Sequence, residues 1–372
     1  MKFLLVAGLA ESLINFRGPL IKAIQASGYE VHVAAPAILE DSDVHDRLKK
    51  MGVHVHEIPL NRAGTSFLND VLTLFYLWRL MIRTRPSHVL GYTIKPVIYG
   101  SLAAFFAGVG HRYALITGLG YTFQGGGQRN VLRALVIKLY RIALSRVHKV
   151  FFQNPDDRDL FLKTGILNSK ISSCVVNGSG VDVSAFQVVR FPEGKPCFLL
   201  IARLLGDKGI REYVHAAKIV KSQYPEIRFM LVGWIDVNPD SVRQDELTAW
   251  INDGSIEFLG RLVDVRPAIE ACSVFVLPSY REGTPRTVLE AMSMGRPIIT
   301  TDAPGCRETV EHGYNGFLVP VKSVNDLVHA MLKFIENPGL IKTMGFNSRQ
   351  KAEAKYDARV VSAVMVDEMK LS

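Results

Sequence analysis

Short apolar runs rich in β-branched and aromatic residues alternate with helix-patterned stretches along nearly the whole chain, and the alternation is broken only once. Residues 3–6, Glu30–Ala35, 53–58, 89–91, 112–117, 150–153 and 171–176 read as strands. Helices are expected at 13–26, 43–50, 67–83, 96–106 and 130–149. The break is NGSGVDVSAFQVVRFPEGKP at 177–196, rich in Gly, Pro and polar residues, and it reads as a linker. Beyond it Cys197–Ile201, Arg228–Val232, 256–259, Val274–Leu277 and 297–300 read as strands, with helices at Ile210–Gln223, 263–271, 286–294, Val324–Glu336 and 357–369. Continuous apolar strands of this length are buried on both faces, as in a parallel sheet covered by helices. An alternation split near its middle predicts an α/β chain with two doubly wound Rossmann-like domains, at 1–176 and 197–355, in place of one barrel.

Chemistry concentrates at 273–301, SVFVLPSYREGTPRTVLEAMSMGRPIITT. A strand ends at Pro278, a polar loop follows, and a helix resumes near Thr287. The loop therefore delivers the chain into a helix N-terminus, whose unpaired N–H groups and partial positive charge suit a phosphate. Glu282 lies in the loop and Glu290 about one and a half turns into the helix. Upstream, the strand ending near Ala202 runs into Arg203, and Lys208 opens the next helix. A guanidinium fork and a mobile ammonium at one strand end suit a diphosphate. Taken singly, the glutamates read as a turn residue and a solvated helix residue, and the cations as a solvated pair.

Three blocks change that reading: ARLLGDKG from Ala202 to Gly209, EGTPRTVLE from Glu282 to Glu290, and AMSMGRPIITTDAPGCRETVEHGYNGFLVP from Ala291 to Pro320. Together they resemble the retaining GT-B-fold glycosyltransferases of family 4, the E-x7-E type, densely in the C-terminal half and loosely in the N-terminal half. The resemblance implies two Rossmann-like domains facing a shared cleft, with the last helix, 356–372, packing back on the N-terminal domain. It implies catalytic roles for Glu282, Arg203 and Lys208, the cations neutralising the leaving nucleoside diphosphate without a metal. Nucleotide-sugar contacts are implied at Gly8, Arg203, Lys208, Gly260, Arg261, Leu262, Glu282, Gly283, Thr284, Thr287, Val288 and Glu290. Acceptor or sugar contacts are implied at Asn15, Arg17, Thr117, Gly118 and Leu119, with Gly120 beside them. Many relatives carry a histidine in this last region; here Thr117 stands nearby, and His111 falls at the wrong end of its strand.

By the same resemblance the reaction is transfer of a hexose or N-acetylhexosamine, with retention, from a donor expected to be UDP-linked to a polyprenyl-diphosphate-linked sugar in bacterial polysaccharide or glycan assembly. A UDP-sugar epimerase of the same fold and a non-catalytic, membrane-bound nucleotide-sugar sensor remain as alternatives. No Ser/His/Asp triad, Walker loop or G-x-G-x-x-G fingerprint stands in the required context.

Charge placement bears on where such an acceptor is met. The chain of 372 residues carries a net charge of +9, and no Asp or Glu occurs from 71 to 155. Arg79, Arg83, Arg85, Lys95, Arg112, Arg129, Arg133, Lys138, Arg141, Arg146 and Lys149 all fall there. They are interleaved with Leu, Val, Ile, Tyr and Trp at helical spacing, which suits a headgroup region better than a nucleic-acid groove. A peripheral position on the cytoplasmic leaflet, reached through the basic N-terminal domain, is therefore expected; a domain core with a solvated basic face is the other reading. No stretch has the roughly 18 to 20 apolar residues of a spanning helix. MKFLLVAGLAESL is interrupted by Glu11 and reads as a first strand, not a signal peptide. Cys174, Cys197, Cys272 and Cys306 lack ligand spacing and read as buried thiols of a reducing cytosol. His54 and His56 share one side of a strand and read as solvent-facing, since no carboxylate or third histidine has suitable spacing. The D-x-D string Asp41 to Asp43 reads as a helix cap.

Overall fold

The computed structural model describes residues 1–61, 67–119, 129–236 and 238–371. The chain divides into two compact units, Met1–Ser179 with Ala358–Ser372, and Gly180–Asp357.

Among the described residues, the first unit is built on seven strands: β1 (Lys2–Val6), β2 (Glu30–Ala35), β3 (His54–Glu57), β4 (His88–Tyr92), β5 (His111–Ile116), β6 (Lys149–Phe152) and β7 (Ser172–Val175). They run in the order β3-β2-β1-β4-β5-β6-β7, every neighbouring pair parallel. The second unit holds six: β8 (Cys197–Ile201), β9 (Arg228–Val232), β10 (Glu257–Phe258), β11 (Val274–Leu277), β12 (Ile298–Thr301) and β13 (Gly316–Val319). Their order is β10-β9-β8-β11-β12-β13, again all parallel. Parallel pairing accounts for the unbroken apolar runs: every residue of β4, β8, β11 and β12 is buried. In each sheet the strand order reverses once, beside β1 and β4 in the first unit and beside β8 and β11 in the second. Open α/β sheets take ligands outside the carboxyl ends of the strands at that reversal.

Several elements depart from the sequence expectation for local reasons. The helix expected at 13–26 is two, Glu11–Asn15 and Gly18–Ala26, because Pro19 falls in the first turn of the second, the one place where a missing N–H is tolerated. The helix expected to reach 149 stops at Leu144, and Lys149 begins β6 instead. Strand β13 and the helices Pro155–Lys163, Gln244–Asn252 and Gly339–Lys351 are additional. Asp41 does cap the helix Ser42–Lys50, accepting a bond from the Val44 N–H at 3.1 Å.

The stretch expected as a linker, 177–196, is packed structure of the second unit from residue 180 onward. Val181 and Val183 are buried in its core. The wholly buried Arg296 donates to the carbonyls of Val189 at 3.1 Å and Arg190 at 2.8 Å, and also to those of Ile269 and Glu270. Arg349 does the same for Val183 at 3.1 Å and Phe186 at 2.9 Å. A Gly- and Pro-rich composition concealed these anchors because the arginines that hold the segment lie more than a hundred residues downstream. The last helix, Ala358–Glu368, belongs to the first unit: Met365 and Met369 enter its core, Tyr113 Oη donates to the Met369 carbonyl at 2.8 Å, and Lys149 pairs with Glu368. The four cysteines are free, three of them buried and Cys174 partly so.

Replacing Arg296 by methionine removes donors from buried carbonyls, each of which costs about 1–3 kcal/mol when left unmade. We expect a loss on the order of 3 kcal/mol in urea denaturation, with early protease cleavage within 183–191. Unchanged stability and unchanged cleavage would show that the segment is held by its apolar contacts alone.

Candidate functional site

At the reversal in the second unit, the ends of β8 and β11 place the residues singled out by sequence side by side. Past β8 the chain makes a tight turn, Gly206–Lys208, before the helix Ile210–Gln223. Past β11 the loop from Pro278 to Pro285 crosses this turn, and backbone bonds lock the two together. Tyr280 N–H donates to the Asp207 carbonyl at 2.8 Å, and Ser279 Oγ to the same carbonyl at 3.1 Å. Contact this close requires residues without side chains. Gly209 has φ of +70°, and a Cβ there would lie 2.2 Å from the Pro278 oxygen. On the other side Gly305, with φ of +81°, would put a Cβ 2.2 Å from the Glu282 oxygen. Both conformations are left-handed, which other residues adopt only under strain.

This clamp sets Lys208 Nζ 2.6 Å from Glu282 Oε1, with the side chains only 13% and 18% exposed. Ser279 Oγ also lies 3.0 Å from the same carboxylate oxygen, its one proton shared between that oxygen and the Asp207 carbonyl. Burial works against the Lys208 charge, but the Glu282 and Asp207 carboxylates outweigh it and hold its pKa above the ordinary value. The group is therefore a partly desolvated ammonium with one carboxylate on it. Arg203 is close enough that its charge opposes that of Lys208. Its own counter-ion is Asp236, at 3.0 Å, from the segment after β9. Two cations at one strand end, each with an acid, make a surface that accepts further negative charge at little cost in reorganisation.

The helix Arg286–Ser293 opens beside them at Pro285 with no side-chain cap. Thr287 Oγ1 is turned to the Ile201 carbonyl at 3.1 Å, tying this helix to the end of β8. Glu290 is buried, 6% exposed, and accepts from Arg286 Nε at 2.7 Å. Burial pushes its carboxyl above the usual range, although Arg286 acts the other way. Gly283 is buried and Thr284 half-buried in the loop. Val288 is different: its side chain is wholly in the core and its N–H donates to the Pro285 carbonyl at 3.1 Å, so it supports the helix start from within. After β10, Gly260 takes φ of +70° and accepts from Gly233 N–H at 2.9 Å. Arg261 stacks over the exposed Trp234 ring at 4.9 Å, forming a flat cationic shelf, and Leu262 is part-buried beneath it against the core. Sequence reasoning did not single out Ser279, Asp236 or Trp234. Their only local signal is position, directly after β11 or β9.

In the first unit, Gly8 follows β1 at the corresponding reversal. A Cβ on it would lie 3.0 Å from Thr93 Oγ1, the residue after β4. Asn15 is exposed at the end of its short helix. Arg17 is 3% exposed, stacked over the Tyr92 ring at 4.8 Å and donating to Ser179 Oγ at 3.1 Å. Its guanidinium thus ties the start of the helix Gly18–Ala26 to the last residue of this part of the unit. Thr117 and Gly118 follow β5, half-buried, whereas Leu119 packs into the core with Val97, Ile98 and Tyr140. Gly120 lies outside the described residues.

Two family models match this architecture, one described as glycosyl transferase 4-like over residues 3–154 and one as glycosyl transferases group 1 over 195–337. Together they span most of both units. The chain belongs to the family 4 glycosyltransferases. Among proteins similar to this glycosyltransferase is the N,N'-diacetylbacillosaminyl-diphospho-undecaprenol alpha-1,3-N-acetylgalactosaminyltransferase of Campylobacter jejuni, 28% identical, with 94% of this chain and 93% of that one covered. Another is the UDP-Gal:alpha-D-GlcNAc-diphosphoundecaprenol alpha-1,3-galactosyltransferase of Escherichia coli, 24% identical over 79% of this chain and 78% of that one. In fold, the glycosyltransferase matches sucrose-phosphate synthase of Thermosynechococcus elongatus with a TM-score of 0.82 at 17% identity, covering 100% and 98% of the two chains. The fold is GT-B, two parallel-sheet α/β units.

The clamp yields a direct test. Gly209→Ala forces a Cβ against the Pro278 carbonyl and should part Lys208 from Glu282, lowering glycosyl transfer at least tenfold in a donor-turnover assay while the chain stays folded by circular dichroism. Wild-type turnover would show that the close approach is unnecessary for activity.

Proposed function

We propose that this glycosyltransferase moves a hexose or N-acetylhexosamine from a UDP-linked donor to a polyprenyl-diphosphate-linked sugar, with retention at the anomeric carbon, in bacterial polysaccharide or glycan assembly. The observation that carries the reading is the pair of cations, Arg203 and Lys208, at the end of β8, beside Glu282 and an uncapped helix N-terminus. The names of the two relatives supply the chemical class: both act on diphospho-undecaprenol acceptors, and one takes UDP-galactose.

In this scheme the donor's two phosphates lie against Arg203, Lys208 and the first turn of the helix Arg286–Ser293, and Glu290 meets the ribose hydroxyls. The base rests near Gly260 and Arg261, while Glu282, already turned toward Lys208, meets the sugar. The bond from C1 to the diphosphate oxygen breaks, and the negative charge that gathers on that oxygen is neutralised by the two side-chain cations, the role a metal fills in other transferases. The acceptor oxygen bonds to C1 on the face the leaving group vacates, and its proton passes to the leaving phosphate. A positioned donor to developing charge contributes about 2.7–4 kcal/mol, a factor of roughly 10² to 10³ in rate. Arg203→Ala and Lys208→Ala should each lose that much in kcat. The reading is tested by a screen of UDP-sugars against polyprenyl diphosphate-linked sugars with mass spectrometry of the product. One added hexose or N-acetylhexosamine is expected, and a donor epimerised with no acceptor present would replace this reading by the epimerase.

We further propose that the first unit rests on the anionic cytoplasmic leaflet. Among the described residues no helix is long and apolar enough to cross a membrane. The helix Phe67–Thr84, however, carries apolar residues on both sides. Leu77, Leu80 and Met81 face the core, while Leu68, Val71, Leu72, Phe75, Trp78 and Ile82 are exposed at helical spacing, flanked by exposed Arg79, Arg83 and Arg85. An apolar stripe edged by arginines matches a bilayer surface carrying negative headgroups. Lys95, Lys149 and Arg141 of the acid-free tract have internal partners instead: Lys95 with Asp70, Lys149 with Glu368, and Arg141 with the carbonyls of Gly165 and Thr164. Flotation with phosphatidylglycerol vesicles at low salt should carry the protein upward, and Leu72→Glu with Phe75→Glu should abolish this. Failure of the wild type to float would refute the docking.

A further inference from the structure

Strands β2 and β3 form one edge of the first sheet, and their pairing creates a side-chain cluster that linear spacing does not show. Alternation places Glu30 and His32 on one face of β2, and His54 and His56 on one face of β3. The register sets His32 opposite His54 and Ala34 opposite His56, so that all four side chains meet. His32 Nε2 lies 3.0 Å and His54 Nε2 3.1 Å from Glu30 Oε1. On its other side His32 Nδ1 lies 2.9 Å from His56 Nε2. The carboxylate and third histidine missing at sequence spacing are thus provided across the strands.

We propose that Glu30, His32 and His54 bind a transition-metal dication of the zinc class, with water completing the coordination on the exposed side. One ligand atom from each of the three residues falls within 4.8 Å of the others. Tetrahedral zinc, with bonds of about 2.0–2.1 Å, separates its ligands by roughly 3.3 Å. The two contacts at 3.0 and 3.1 Å would open by only a few tenths of an ångström. Two imidazoles and one carboxylate favour zinc, cobalt or nickel over magnesium or calcium, which take oxygen ligands.

His56 supplies the support that metal-bound imidazoles ordinarily have, a hydrogen-bond partner on the second ring nitrogen. Without an ion, His32 can donate from Nε2 to Glu30 and accept at Nδ1 from His56. With an ion, the tautomer reverses: Nδ1–H donates to His56 and the Nε2 lone pair faces the metal. Burial lowers the pKa of both imidazoles, that of His56 to about 4. Lys2, 3.8 Å from Glu30 Oε1, is the competing cation; it is 40% exposed and free to swing into water.

The cluster sits at the amino ends of β2 and β3, the opposite edge of the sheet from Gly8, and takes no part in the proposed transfer. Its role is structural. β3 is a four-residue edge strand with no fully buried side chain, and an ion shared with β2 fastens a strand that apolar burial holds weakly.

The test uses the full chain with any affinity tag removed, stripped with EDTA and dialysed at pH 7.5. Zinc is titrated in competition with a chromophoric chelator, and cobalt is followed by its visible absorption. One tight equivalent per chain is expected, with a rise in melting temperature, and His54→Ala and Glu30→Gln should each weaken zinc at least tenfold. Both positions are exposed, so the variants should fold and keep wild-type glycosyl transfer. Absence of stoichiometric zinc binding, or binding unchanged in either variant, would overturn the proposal.

Discussion

A partly desolvated ammonium held 2.6 Å from a carboxylate, where the strand order of the second unit reverses, is the interaction around which that unit is arranged. Taking both charges out of water costs several kcal/mol each, and their attraction returns this only where geometry and extra hydrogen bonds are good. Ser279 and the Asp207 carbonyl provide the geometry, and the left-handed Gly209 and Gly305 permit the backbone to close on it. The pair contributes little to stability compared with an apolar replacement. It places a charged, partly dry donor at the carboxyl edge of a parallel sheet, where a phosphate gains most from it.

The same logic explains the secondary features of the site. Asp236 and Glu282 each pair with a cation, so in the proposed reading a diphosphate would meet side chains that are already oriented. Glu290, buried, pairs with Arg286 one turn before it in the same helix. In the first unit the acid-free tract divides in two: part of its positive charge is consumed by Asp70, Glu368 and backbone carbonyls, and part remains beside the exposed apolar stripe of Phe67–Thr84.

How much was legible in the sequence depends on how local each cause is. Cys197–Ile201 and Val274–Leu277 could be read to the residue because burial on both faces leaves an unbroken apolar run. Glu282, Lys208 and Arg203 were singled out because their spacing resembles a family pattern, and the structure brings Lys208 and Glu282 into contact past the ends of β8 and β11. Asp236 could not be read this way, since its place beside Arg203 follows from β9 lying next to β8, which no local pattern records. The His32 to His56 cluster was invisible for a similar reason, because slipping the β2–β3 pairing by one residue would separate those side chains. Residues 180–196 misled by composition: polar and glycine-rich, they are nonetheless held by Arg296 and Arg349 from distant helices and loops. Val288 and Leu119 stand in motif positions, yet their side chains serve the core.

The central claim is that side-chain cations after β8, together with one helix start, grip the nucleotide's phosphates. A crystal structure with UDP bound tests it most directly. Phosphate oxygens are expected within hydrogen-bonding distance of the Arg203 guanidinium and the Lys208 ammonium, with the base against Gly260 and Arg261. Phosphates bound away from both side chains would contradict it.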